Sequence, residues 1–304
     1  MKKGKFKSGF VAVLGRPNVG KSTLINTLIG SKVSIISPIP QTTRHQIKGI
    51  LNLKDAQVVF VDTPGVHSFS DKLASHLNTI AKESIEGTDL IIYVVDVSRR
   101  PAQEEEKLLE LITPKGIKTI MVLNKIDLGD KYFNDYIDLW QRKIKDKNLK
   151  DSLIYYIPAS SLSGKNIDKL KKSLIENLPL GPAYYDRDSL TDFPIKFRIA
   201  DIIREKLFLK LEKELPHSLA VEVEKITDKK KTVYIKVNIY VKRNSQKRIV
   251  IGKKGIILKE IGSFTRPEIE KIYNKKVFLD IWVKVLADWQ RRPRILKELG
   301  YWWA

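Results

Sequence analysis

Gly15-Arg16-Pro17-Asn18-Val19-Gly20-Lys21-Ser22 fits the spacing G-x-x-x-x-G-K-[ST] of a phosphate-binding loop. Glycines let the backbone curl until its N–H groups converge on phosphate oxygens, and the helix that follows adds partial positive charge there. Lys21 can reach the outer phosphates, the Ser22 hydroxyl can ligate magnesium, and Thr23 lies in the same first helical turn. Asp62-Thr63-Pro64-Gly65 places an aspartate that can hold magnesium through water and a glycine whose N–H can meet a terminal phosphate. In the polar, proline-broken stretch from Ser31 to Arg44, Thr43 is the candidate for magnesium and the terminal phosphate, with Thr42 in reserve. Asn124-Lys125-Ile126-Asp127 selects the base. An aspartate there accepts two hydrogen bonds from guanine, whereas adenine offers neither donor. Asn124 braces the pocket, the Lys125 stem covers the base, and Ser160-Ser161 offers backbone to the guanine oxygen.

A second glycine turn, Gly252-Lys253-Lys254-Gly255, lies between the apolar segment Arg248 to Ile251 and a helical pattern opening at Ile256. A G-x-x-G turn at a helix start is how a KH domain clamps the backbone of about four nucleotides. Lys247, Arg248, Lys253 and Lys254 would supply charge, and Ile251, Gly252, Gly255 and Ile256 would line the path of the strand. Trp282 reads as packing, while Trp289, Trp302 and Trp303 are open between packing and stacking on bases.

These groups need a frame. Phe10 to Leu14, Gln57 to Val61, Leu90 to Val95, Ile117 to Leu123 and Leu153 to Ile157 read as buried strands, each followed by one of the polar motifs or by a helix. Ile47 to Leu53 pairs with the second as a hairpin, and helices are expected over 71–86, from Gln103 to Ile112 and from Ile167 to Leu178. The pattern implies an α/β, doubly wound, mostly parallel sheet with its ligand at the carboxyl ends of the strands. Residues 1–181 would form this nucleotide domain, 182–194 a proline-rich linker, and 195–304 a smaller α+β domain. In that last part Ile199 to Leu215 reads as a helix, Leu219 to Ile226 and Thr232 to Val241 as a hairpin with a basic tip, Val277 to Val285 as a strand, and Asp288 to Tyr301 as a basic helix.

The chain has 304 residues, 42% of them hydrophobic and 30% charged, enough for two domains with cores. It has no cysteine, which excludes disulfides and thiolate chemistry and fits a reducing, cytoplasmic setting. No apolar stretch approaches the ~20 residues that span a bilayer. Net charge is +21, with the shorter part after residue 181 carrying +12. Such a chain seeks polyanions, nucleic acid first and acidic membrane surfaces second.

Together with Gln41-Thr42-Thr43-Arg44, Ile203-Arg204-Glu205-Lys206, Leu279-Asp280-Ile281-Trp282-Val283-Lys284 and Leu299-Gly300-Tyr301, these motifs make the chain resemble the bacterial Era family of GTPases over nearly its full length. The resemblance implies a Ras-like P-loop GTPase domain followed by a type II KH domain, with GTP or GDP and Mg2+ as ligands. It implies a monomer that binds the single-stranded 3′ end of 16S rRNA and assists maturation of the small ribosomal subunit. It further implies peripheral association with the inner membrane and a link to the cell cycle. Lys21, Thr43 and Gly65 would act on the terminal phosphate, and Asn18 resembles the residue through which related GTPases hold a potassium ion in place of an arginine finger. Two departures stand out. Ser160-Ser161 replaces the usual Ser-Ala, and Val66 occupies the place where Ras-type enzymes carry a water-orienting glutamine, so hydrolysis should be slow without help. The competing reading is a constitutive RNA-binding module whose nucleotide domain is structural.

Overall fold

The computed structural model describes residues 6–36, 47–62, 83–211 and 215–300. Thr42, Thr43, Thr63, Pro64, Gly65, Val66, most of the helix expected over 71–86, Trp302 and Trp303 lie outside the described residues. The chain divides into two compact units, with the boundary between Asp192 and Phe193.

The first unit runs β1 (Lys7–Leu14), α1 (Lys21–Ile29), β2 (Ile47–Asn52), β3 (Ala56–Asp62), β4 (Leu90–Asp96), α2 (Gln103–Ile112), β5 (Thr119–Asn124), α3 (Phe133–Asp146), β6 (Leu153–Pro158) and α4 (Ile167–Asn177). Its six strands lie in the order β2-β3-β1-β4-β5-β6, and only the β2–β3 pair is antiparallel. Side chains alternate across a strand, and that alternation builds two cores. Val11, Val13, Ile92 and Val94 meet Leu24, Ile25, Leu170 and Leu174 on one face. Ala12, Leu14, Ile91, Tyr93 and Val95 meet Leu108, Leu109 and Trp140 on the other. With both faces covered, β3 and β4 are buried at every residue. The helix α3 has no counterpart among the sequence expectations, because only Tyr136, Leu139 and Trp140 are buried in a segment otherwise rich in charge.

The stretch from Pro179 to Asp192 is not a free tether. The buried carboxamide of Gln57 accepts from the Tyr184 and Tyr185 N–H groups at 2.7 and 3.0 Å and donates to the Tyr185 carbonyl at 2.8 Å. Ser8 Oγ donates to the Pro182 carbonyl, Ile50 N–H to the Leu190 carbonyl, and Lys48 pairs with Asp192 at 3.1 Å. Each such bond contributes about 1 kcal/mol, so this segment is laid onto β1–β3 as part of the first unit.

The second unit runs α5 (Ile195–Lys210), α6 (Leu215–Ser218), β7 (Ala220–Asp228), β8 (Thr232–Val241), α7 (Asn244–Ile251), α8 (Ile256–Tyr273), β9 (Lys276–Val285) and α9 (Pro293–Glu298). β7 is antiparallel to β8, and β8 is parallel to β9 across the α7–α8 crossover. Ile199, Ile203, Leu207, Val221, Val223, Ile235, Val237, Val250, Ile261 and Ile269 fill the core. The first helix starts four residues earlier than the apolar spacing implied, directly after Pro194, and Leu211 is already extended. Pro216 then sits within the separate short helix α6, where the start of a helix tolerates it. No helix among the described residues is long and apolar enough to cross a membrane.

Candidate functional site

The glycine loop leaves the end of β1, curls, and enters α1. Its curl needs left-handed backbone at Asn18 (φ 63°) and Gly20 (φ 99°). A Cβ on Gly20 would stand 2.4 Å from Asn124 Nδ2, so the strained φ and the close approach both require glycine. The Val19 side chain is core, which leaves this residue only its backbone for a ligand.

Lys21 is almost completely buried and donates to the carbonyls of Gly15 and Arg16, each at 2.9 Å. Burial pushes its ammonium down to about 8, against the pull of Asp62. Asp62, at the end of β3, is fully buried, and burial raises its carboxyl, opposed by Lys21 and by the Ser22 hydroxyl. Ser22 Oγ donates to Asp62 Oδ2 at 2.9 Å, while Oδ1 has no hydrogen-bond partner among the described residues. An orphaned buried carboxylate oxygen beside a hydroxyl suits a hard cation, and a buried lysine hydrogen-bonded to carbonyls suits incoming phosphate. The residues present therefore fit magnesium and a nucleotide phosphate. Ser22 would hold the metal directly and Asp62 through water. Magnesium there supplies neutralisation of charge developing on the transferring phosphate.

Asn124, at the end of β5, joins three loops. Its Nδ2 donates to the Val19 carbonyl at 2.7 Å, and its Oδ1 accepts from Ser161 N–H and Ser161 Oγ, both at 2.9 Å. The phosphate loop and the loop after β6 are thus held in one register. Lys125 takes a left-handed conformation (φ 67°), and its Nζ pairs with Asp96 Oδ2 at 2.8 Å. Burial raises the Asp96 carboxyl, but hydrogen bonds from Lys125 and Ser98 outweigh it, so the group lies below the usual carboxylate range. Asp127 stands in a 3-10 turn with its carboxylate exposed, open to a base edge. Ser160 is buried, its Oγ accepting from Ser163 N–H at 3.1 Å.

The second glycine turn is built differently. Gly252 (φ 74°) caps α7, and a Cβ there would meet Ile257 Cγ1 at 2.8 Å. Lys253 and Lys254 are exposed, Gly255 opens the 18-residue helix α8, and Arg248, Ile249 and Ile256 are exposed around the turn. An open helix start with bare lysines and apolar side chains suits a polyanion that carries flat bases.

A family model described as "50S ribosome-binding GTPase" matches residues 10–125, and one described as "KH domain" matches residues 214–290. A curated relative, GTPase Era from Geobacter metallireducens, is 40% identical over 99% of this chain and 100% of its own length. The chain belongs to the Era family of GTPases. Two solved Era structures cover 97% of this chain and 99% of their own, at 39% identity and a TM-score of 0.89. One is Aquifex aeolicus Era, a tyrosine-to-alanine variant bound to GDP·AlF4−; the other is Era in complex with MgGDPNP and nucleotides 1506–1542 of 16S ribosomal RNA. The first unit is accordingly a Ras-like P-loop GTPase domain, the second a KH domain, and the protein is a GTPase.

Within this Era-family frame, the structure brings Gly15 to Thr23, Asp62, Asn124, Lys125, Asp127, Ser160 and Ser161 to the carboxyl ends of the strands. One expectation, the packing of Trp282, needs correction, and the surroundings of two candidate site residues can be specified. The Arg16 guanidinium is held by Glu105 of α2, with Nε–Oε1 at 2.9 Å and Nη1–Oε2 at 3.2 Å. Only the Arg16 backbone remains for a nucleotide. Ile251 is half-buried and packs against the KH core beside the turn. Trp282 is 54% exposed rather than packed, whereas Trp289 is fully buried with its Nε1 donating to the Ser218 carbonyl. The sequence reading missed Glu105 and Asp96. The signal for Glu105 was its position three residues after Ala102 at a helix start, where it also accepts the Ala102 N–H at 2.8 Å.

Proposed function

We propose that this chain is a GTP-switched RNA-binding factor that holds the single-stranded 3′ end of 16S rRNA in its KH domain and serves maturation of the small ribosomal subunit. The observation that carries the reading is the likeness, over 97% of the chain, to a relative solved with both MgGDPNP and that RNA segment. The geometry supports it from both ends. Buried Lys21 and Asp62 with half-buried Ser22 form a phosphate and metal cradle, and the Gly252–Gly255 turn offers exposed lysines beside exposed Ile249 and Ile256. Apolar side chains beside the charge favour bases over an acidic membrane surface.

In the reaction, water attacks the γ-phosphate and GDP leaves. Lys21 holds the outer phosphates, Asn124 keeps the loops in register, and Asp127 reads the base. Thr43 and Gly65 would respond to the terminal phosphate, and losing that phosphate would release them. The test is RNA affinity of the full chain with a GTP analogue, with GDP and without nucleotide. A switch requires tighter binding in one nucleotide state; equal affinities in all three would leave a constitutive RNA-binding module. Equal turnover in sodium and potassium would remove the potassium role of Asn18.

A further inference from the structure

Helices α5 and α8 cover one face of the KH sheet, and the other face is open. Along β9, Val277 and Val283 are buried and Leu279 and Ile281 pack on the core. Phe278 and Trp282, of opposite parity, are 58% and 54% exposed. The Phe278 ring stacks on Tyr234 of β8 with centroids 5.7 Å apart and planes at 12°. Two flat, wetted aromatic surfaces four residues apart on one strand stand about 13 Å from each other.

The charges on this face are sorted. Asp280 accepts from the Tyr234 hydroxyl, Glu222 from the Tyr240 hydroxyl and Asn238, and Glu224 pairs with Lys236 and Lys284. Lys275 pairs with Asp228. Lys229, Lys230, Lys231 and Lys276, all exposed at the end that carries the Tyr234–Phe278 stack, have no ion pair among the described residues. Three strands and one hairpin therefore present partnered carboxylates, surplus lysines and exposed rings. A protein partner would want apolar area with balanced charge. Stacked rings edged by surplus lysine match single-stranded nucleic acid, whose bases stack and whose phosphates need cations.

We propose that this open face is a second stacking surface for the RNA strand that enters at Gly252–Gly255, with Trp282 and Phe278 each taking a base and the Lys229–Lys231 tip taking phosphates. The inference rests on the RNA-binding reading above. Continuity supports it. β9 is hydrogen-bonded only to β8 among the described residues, and its Ile281 lies against Gly262 of α8, the helix that the glycine turn opens. A strand leaving that helix meets the open edge of β9, with Trp282 next in sequence on the far face.

The experiment uses the full chain and two unstructured oligoribonucleotides, one of about four nucleotides to fill the KH groove and one of about twelve. The longer should bind more tightly than the shorter. The double variant Phe278→Ala with Trp282→Ala should lose that gain, about tenfold or more, while affinity for the short oligomer, GTP turnover and melting temperature stay unchanged. The conservative Trp282→Phe should restore most of it. Should the alanine pair disturb melting, the triple variant Lys229→Ser, Lys230→Ser, Lys231→Ser carries the test, since it must reduce salt dependence for the long oligomer alone. An unchanged ratio of long to short affinity in the variants overturns the proposal, and so does a face that retains only protein. Failure of the wild type to bind even the short oligomer would instead overturn the RNA reading itself.

Discussion

Two glycine turns open helices in this molecule, one at Gly15–Ser22 and one at Gly252–Gly255, and they differ in enclosure. In the first, Lys21 is almost completely buried and donates to two carbonyls, and Asn124 bonds the turn at Val19 and holds Ser161 beside it. In the second, Lys253 and Lys254 are exposed on a surface with exposed isoleucines. Enclosure removes water and fixes donors, so the first turn can demand one phosphate geometry and shift a lysine's protonation. Openness keeps the charge screened and lets a polymer pass through, so the second turn grips backbone without demanding one ligand shape. The same local device yields selectivity when buried and tolerance when bare.

The contrast can be broken at either end. The largest expected effect is on the nucleotide side, at the base-reading loop. Asp127→Asn should weaken GTP by about 100-fold and shift preference toward xanthosine triphosphate, measured by competition binding; unchanged guanine selectivity would remove Asp127 from the pocket. Raising pH should come next. A bound phosphate favours charged Lys21, and the free site holds that ammonium at about 8, so binding takes up a proton above pH 8. Nucleotide affinity should then fall as pH rises, by up to about tenfold per unit, and calorimetry in buffers of different ionisation heat should register the proton. The smallest effect belongs to the open turn. Lys253→Ser with Lys254→Ser should weaken short RNA about tenfold, lower the slope of log affinity against log salt by about 1.4, and leave GTP turnover intact. A loss confined to one RNA sequence would mean that these lysines read bases rather than phosphates.

Sequence pattern exposed much of this and hid the rest for physical reasons. The strands that carry the site were visible because burial on both faces demands runs such as Leu90 to Val95. The glycine turns were visible because few residues tolerate their backbone. The Arg16–Glu105 pair was hidden because its partners lie 89 residues apart and spacing is blind to such pairs. Residues 182–194 looked like a tether from their prolines, yet Gln57, a buried amide at the start of an apolar strand, marked where the segment up to Asp192 would be stitched down. Trp282 was legible after all. Val277, Leu279, Ile281 and Val283 share one side of β9, so parity alone put the indole on the other.

The pairing of Arg16 with Glu105 reaches beyond shape. Side chains 11% and 1% exposed hold each other there, and removing one partner from such a pair costs about 3–5 kcal/mol. The Arg16 guanidinium is thereby committed to α2, which leaves Lys21 as the buried cation of the loop. One ion pair so ties the mouth of the nucleotide loop to the helix behind it, and a loosened α2 would be felt at the phosphates.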